Sequence, residues 1–84
     1  MNNEEYFNIS ELEQAGKTKE GFALLARLVD EKHPLALLDI SCRCYSTDIK
    51  KSEEYAVQAK EELEKLSSDG DGEAKRMLAE IYLG

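Results

Sequence analysis

The chain has 84 residues, 42% hydrophobic and 35% charged, with one proline, five glycines and a formal net charge of −7. A chain this short forms one core and buries only about 60–65% of the surface that its unfolded form exposes, so its stability margin is thin. This composition excludes the disordered and collagen-like classes, no apolar run approaches the roughly 18 residues of a membrane span, and the acidic surface argues against direct nucleic-acid binding.

The apolar residues recur at helical spacing throughout. Tyr6, Phe7, Ile9, Leu12 and Ala15 mark a first helix over about residues 3–15, ended by Gly16, which takes up the left-handed cap conformation. Ser10 and Glu13 also spell a capping box, but one continuous helix is the expectation. Phe22, Leu25, Ala26, Leu28 and Val29 form the face of a second helix over about 18–31, with Thr18 as its N-cap. Pro34 suits the first turn of a third helix, about 34–45. Its residues Leu35, Ala36, Leu37, Leu38, Ile40, Cys42, Cys44 and Tyr45 make it apolar nearly all round, and so the central element. After Ser46-Thr47-Asp48, a turn and N-cap, a fourth helix runs from about Ile49 to Leu66 on the stripe Tyr55, Ala56, Ala59, Leu63 and Leu66. The loop Ser67–Gly72 separates it from a fifth helix carrying Ala74, Met77, Leu78, Ile81 and Tyr82. No strand pattern occurs.

His33-Pro34-Leu35-Ala36 and Asp71-Gly72-Glu73-Ala74 each precede an apolar helix, with their alanines 38 positions apart, the spacing of a helix-pair repeat. Asp48, Lys51, Ser52, Tyr55, Gln58 and Ala59 resemble the Sel-one-like form of the tetratricopeptide repeat, which runs D-x-x-K-A, an aromatic, then K-A. Ala74, Leu78, Ala79 and Tyr82 resemble the helix that opens the next such unit, and Tyr6, Ile9, Ser10 and Pro34 fit an ordinary tetratricopeptide unit. Ser52 stands where the pattern has alanine, and the turn Ser46-Thr47-Asp48 lacks its glycine. The resemblance implies an all-α fold of antiparallel helix hairpins stacked as a short right-handed α-solenoid. About two and a half helix-pair repeats would make one domain over 1–84, in units of about 3–34, 35–71 and a half unit 72–84.

The residues that could carry chemistry read as structure. His33, the only histidine, finishes a helix C-terminus, and Cys42 and Cys44 point about 200° apart on one helix, so they cannot grip one metal together. Both cysteines are expected to be reduced, free and at least partly buried. Asp69-Gly70-Asp71-Gly72 has its glycine too early for a calcium loop and lacks the later glutamate. No nucleophile–base pair, phosphate loop or cofactor motif is present, so no enzyme activity, metal or cofactor is expected.

The expected function is a non-catalytic interaction module that holds a protein or peptide partner in a groove of helices one, three and five. The resemblance places Phe7, Glu11, Leu38, Cys42, Tyr45, Arg76 and Glu80 on that groove. Leu38, Cys42 and Tyr45 are apolar beyond what a core face needs, unless the small fold covers them itself. The alternative is a small acidic inhibitor or immunity-type protein that neutralises a basic partner such as a nuclease, through Glu53, Glu54, Glu61, Glu62 and Glu64. Residues 1–16 carry −4 and residues 52–73 carry −6, which would steer a basic partner toward the chain. Helix five has few charges, so Met77, Ile81 and Leu83 are expected on an outer side covered by self-association, a partner or further repeats, unless it folds back on helix four. The acidic opening Met1–Glu5 lacks the features of a secretory signal, and a cytoplasmic location is expected.

Overall fold

The local signals produce helices where the spacing places them: α1 (Glu4–Gln14), α2 (Thr18–Asp30), α3 (Pro34–Cys44), α4 (Ile49–Ser68) and α5 (Gly72–Leu83). The structure is a computed structural model that describes residues 3–83, with side chains through residue 81. No strand occurs among the described residues. The first helix runs unbroken through Ser10, so the Ser10–Glu13 pair does not restart it.

Three of the four links share one device. At the ends of α1, α2 and α4 the residue after the cap turns left-handed: Gly16 at φ 82°, Lys32 at φ 60° and Gly70 at φ 95°. In each, two amides fold back onto carbonyls of the last turn. Lys17 N–H donates to Leu12 O at 2.8 Å, His33 N–H to Leu28 O at 2.9 Å and Asp71 N–H to Leu66 O at 3.0 Å. The left-handed residue itself donates to Glu13 O, Val29 O or Ser67 O, which completes the Schellman motif. The α3–α4 link needs no glycine, because Tyr45 stays helical and Cys44 O accepts from both Thr47 N–H and Asp48 N–H. Lys32 is the one non-glycine residue among these turns. Lys32→Gly should therefore raise stability by about 0.5–1 kcal/mol and Lys32→Val lower it by about 1 kcal/mol, both read by urea unfolding.

The helix starts are capped differently from one another. Asp48 Oδ1 accepts from Lys51 N–H at 3.2 Å, and Asp71 Oδ1 from Ala74 N–H at 3.0 Å. Thr18 does not cap α2 as expected: it is the first helical residue, and Lys17 precedes it without a side-chain cap. His33 serves two helices. Its N–H closes α2, and its Nδ1 accepts from Leu35 N–H at 3.2 Å to cap α3.

Each helix packs on its neighbours in sequence, with α3 against α4 the most extensive pairing. On one side of α3, Ala36 joins Ile9, Leu25 and Leu28, with Tyr6, Leu24, Val29 and Ile40 around them. On the other side, Leu35 and Leu38 lie against Leu63, Ala74, Met77 and Leu78. The third helix is thus shared between two clusters, which its nearly all-round apolar character permits. Asn3 Nδ2 donates to Glu73 Oε1 at 2.7 Å, bringing the start of α1 to the start of α5. The radius of gyration is 13.0 Å, against about 12 Å for a compact domain of this length, and the principal extents are 37 × 28 × 22 Å.

Ser41 and Ser52 explain how α3 and α4 approach so closely. Ser41 Oγ donates to Ser52 O and Ser52 Oγ donates to Ser41 O, each at 2.7 Å, and both residues are buried. Ser52, the departure from alanine, therefore supplies one of two reciprocal bonds. Tyr45 N–H donates to Cys42 O rather than to Ser41 O, so the Ser52 hydroxyl is what satisfies the Ser41 carbonyl. Each serine-to-alanine change should cost about 1 kcal/mol, and because the two hydroxyls lie 3.1 Å apart in one network, the double variant should depart from the sum of the singles by at least about 0.5 kcal/mol. Denaturant titration of both single variants and the double variant checks this; strictly additive losses would contradict it.

Several sequence expectations are corrected here. Phe22, assigned to the inner face of α2, is 53% exposed, because Gly21 and Leu25 occupy the line of contact instead. Met77, expected on the uncovered side of α5, is buried against α4, because α5 does fold back onto Leu63 and Leu66. Ile81 is exposed, and the side chain of Leu83 lies outside the described residues. Cys42, expected to be partly buried, is exposed, whereas Cys44 is half-buried; both are free thiols. Cys42 continues the stripe of Leu35 and Leu38, but the α4–α5 cluster covers that stripe only as far as Leu38, which leaves Cys42 facing solvent.

Candidate protein interface

The face shared by α1 and α3 is built around one guanidinium. Asp39 and Arg43 are one turn apart on α3, and Arg43 Nε donates to Asp39 Oδ1 at 2.8 Å. From the same group, Nη2 reaches across to Glu13 Oε1 on α1 at 2.8 Å. Tyr6 of α1 donates its phenol to the other oxygen of Asp39 at 3.3 Å. Burial first, and then the negative charge and hydrogen bond of Asp39, push the Tyr6 phenol above its usual range, so it stays protonated as the donor. The hydrogen bonds that Arg43 donates to Asp39 and Glu13 hold its charge more firmly than usual.

The Tyr6 ring is fixed from two further sides. It stacks on His33, with centroids 6.1 Å apart and planes inclined by 13°. Phe7 meets it edge-on at 5.9 Å. Such contacts anchor Tyr6, yet Phe7 itself remains 59% exposed.

Two clefts open on either side of the Arg43–Glu13 bridge. One, of about 260 Å³, lies between α1 and α3 above Ile9, with Phe7, Ser10 and Asp39 in its walls. The other, of about 480 Å³ and more open, is lined by Thr18, Lys19 and Phe22 with the same ion pair. A depression of about 510 Å³ along α4 is formed by that helix alone, from Lys50, Glu53, Glu54, Val57 and Gln58, and has no opposing wall.

The two clefts do not gather the residues assigned to a groove of α1, α3 and α5. Phe7 lines the smaller cleft. Leu38 is half-buried against the cluster of α4 and α5, so the fold itself covers it. Cys42 is exposed on α3 and Tyr45, the residue after it, is 66% exposed. Glu11, Arg76 and Glu80 are exposed on their helices and belong to neither cleft. The polar members Tyr6, Ser10, Glu13, Asp39 and Arg43 were missed by sequence reading. The Asp39–Arg43 spacing of four was the one legible signal.

No family model, no curated protein and no solved structure matches the chain. Among the described residues, no cluster of three or more His, Cys, Asp or Glu could hold a metal ion, and no helix is long and apolar enough to cross a membrane. On α4, Glu53, Glu54, Glu61 and Glu64 are exposed, whereas Glu62 is half-buried and meets Lys65 at 3.3 Å. The Arg27–Glu5 pair is about half exposed on both sides and contributes little to stability.

Proposed function

We propose that the chain is a non-catalytic protein–protein interaction module working in the cytoplasm, a short right-handed stack of helix hairpins of the tetratricopeptide-like, Sel-one-like kind. Its partner is a protein or peptide, and neither nucleic acid nor a membrane is its target. The observation that carries this reading is the pair of clefts on the α1–α3 face, where Phe7 and Phe22 stay more than half exposed beside the Arg43–Glu13 bridge. Exposed aromatic side chains next to an arginine are the composition that protein interfaces favour. The repeated Schellman closure of α1, α2 and α4, and the position of α3 between two clusters, support the repeat reading.

Affinity capture with mass spectrometry, comparing the parent with a Phe7→Ser, Phe22→Ser variant, tests it. The expected result is a partner retained by the parent and lost by the variant, with circular dichroism unchanged. A second reading, an acidic inhibitor of a basic protein, is favoured by the exposed carboxylates of α4. It predicts a partner indifferent to the phenylalanine changes and released by salt, because charge-driven association falls steeply with ionic strength.

A further inference from the structure

We propose that the α1–α3 cleft takes an extended peptide of a partner protein, with one large apolar side chain flanked by lysine or arginine; this rests on the interaction-module reading above. The size argues for a side chain. At about 260 Å³ the cleft falls below the roughly 300–1,000 Å³ of small-molecule sites, and the exposed Phe7 ring on its rim gives one apolar side chain a surface to pack on beside the polar wall.

The hydrogen-bond inventory argues for a peptide backbone. Arg43 spends Nε on Asp39 and Nη2 on Glu13, which leaves Nη1 without a protein partner among the described residues. Glu13 spends Oε1, which leaves Oε2, and the Ser10 hydroxyl on the same wall also has no partner. A donor and an acceptor held on one ion pair across the cleft match the C=O and N–H of an extended peptide, which has no helix ladder of its own to satisfy them.

Charge decides the flanking residues. Arg43 is already matched by two carboxylates, so this group has a net charge of −1, and Glu11 is exposed nearby on α1. Of the α1 glutamates, Glu5 pairs with Arg27 and Glu13 shares Arg43 with Asp39, so the excess negative charge of this face rests on the Asp39–Arg43–Glu13 group and on Glu11. Basic residues on either side of the apolar anchor gain from that field, whereas acidic ones are repelled.

The test uses short random peptides displayed on phage in three pools, with a central Leu, Phe or Tyr flanked by Lys/Arg, by Asp/Glu or by Gly/Ser. Enrichment of the basic pool by about tenfold over the Gly/Ser pool is expected, and Phe7→Ser and Arg43→Gln should each lower it by at least about fivefold while circular dichroism stays unchanged. Phe7 is exposed, so its variant keeps the test valid even if Arg43→Gln loosens α1 from α3. Preference for the acidic pool, or enrichment indifferent to both variants, overturns the cleft assignment. If the basic pool is retained by both variants but lost on Val57→Lys with Glu53→Lys, binding lies on α4, and the module reading stands without the cleft. If neither charged pool exceeds the Gly/Ser pool, the cleft assignment fails, and the module reading is decided by the affinity capture alone.

Discussion

Leu37→Ala is expected to lower the unfolding free energy by about 3 kcal/mol. Leu37 is fully buried at the middle of α3, the helix shared by both hydrophobic clusters, and is one of three leucines with no solvent exposure. Truncation to alanine removes three carbon atoms from a fully buried site, so the gap cannot collapse freely. A domain of this size sits near the lower end of the 5–15 kcal/mol range, and the loss would take roughly half of its stability. Phe22→Ala is the paired control. Its ring is larger, but it is 53% exposed, and the change should stay within about 0.5 kcal/mol. Urea titrations should show a lower midpoint at unchanged slope for Leu37→Ala and almost no shift for Phe22→Ala. Equal losses at the two positions would mean that α2 and α3 are packed otherwise than described.

Gly21→Leu should cost about 2–3 kcal/mol and detach α1 from α2. Glycine inside a helix normally costs about 1 kcal/mol relative to alanine, so its presence in α2 needs a reason. The reason is proximity: a β-carbon at Gly21 would lie 3.1 Å from Glu13 Cγ, 3.3 Å from the Ile9 carbonyl oxygen and 3.6 Å from Leu12 Cβ. For alanine, a shift of a few tenths of an ångström is offset by the gain in helix propensity, and the net change should be near zero. A leucine adds three more carbons to the same gap, which the Ile9 carbonyl cannot vacate without moving α1. Because Glu13 is carried on α1, the Arg43–Glu13 bridge and both clefts should be lost with it. Amide hydrogen exchange should therefore speed up across residues 4–14 in Gly21→Leu while α4 stays protected. Uniform loss of protection would show instead that the five helices unfold as one unit.

Much of the secondary structure was legible because its signals are local. Helical spacing, Pro34 at the first turn of α3, Asp48 and Asp71 before α4 and α5, and Gly16 and Gly70 after α1 and α4 each act within a few residues. The cap of α2 was misassigned at Thr18 for a related reason: a threonine beside a helix start looks like a cap in sequence, and only the backbone geometry tells whether it precedes the first turn. The left-handed Lys32 was illegible, because lysine gives no sign that the chain must turn there to bring Pro34 onto α2 and α4.

The candidate site was the least legible part. The groove residues Phe7, Glu11, Leu38, Cys42, Tyr45, Arg76 and Glu80 follow from the repeat resemblance, whereas the packing assigns Leu38 to the cluster beside α5 and leaves Phe22 outside. The members that join α1 to α3 are polar, and they lie 33 and 30 positions apart in the pairs Tyr6–Asp39 and Glu13–Arg43. Nothing in a linear pattern links such positions.

By itself, the sequence determined five helices, an acidic chain and a third helix apolar enough to be shared, since these follow from periodicity, charge and short-range capping. Tertiary structure alone decided which apolar residues lie inward, that Met77 is covered by α4, and that Ser41 and Ser52 exchange hydrogen bonds. It also decided that one arginine joins two helices between two clefts. Those outcomes depend on the rotation of each helix about its own axis and on how closely neighbouring helices approach, and both are set only when all the faces are buried together.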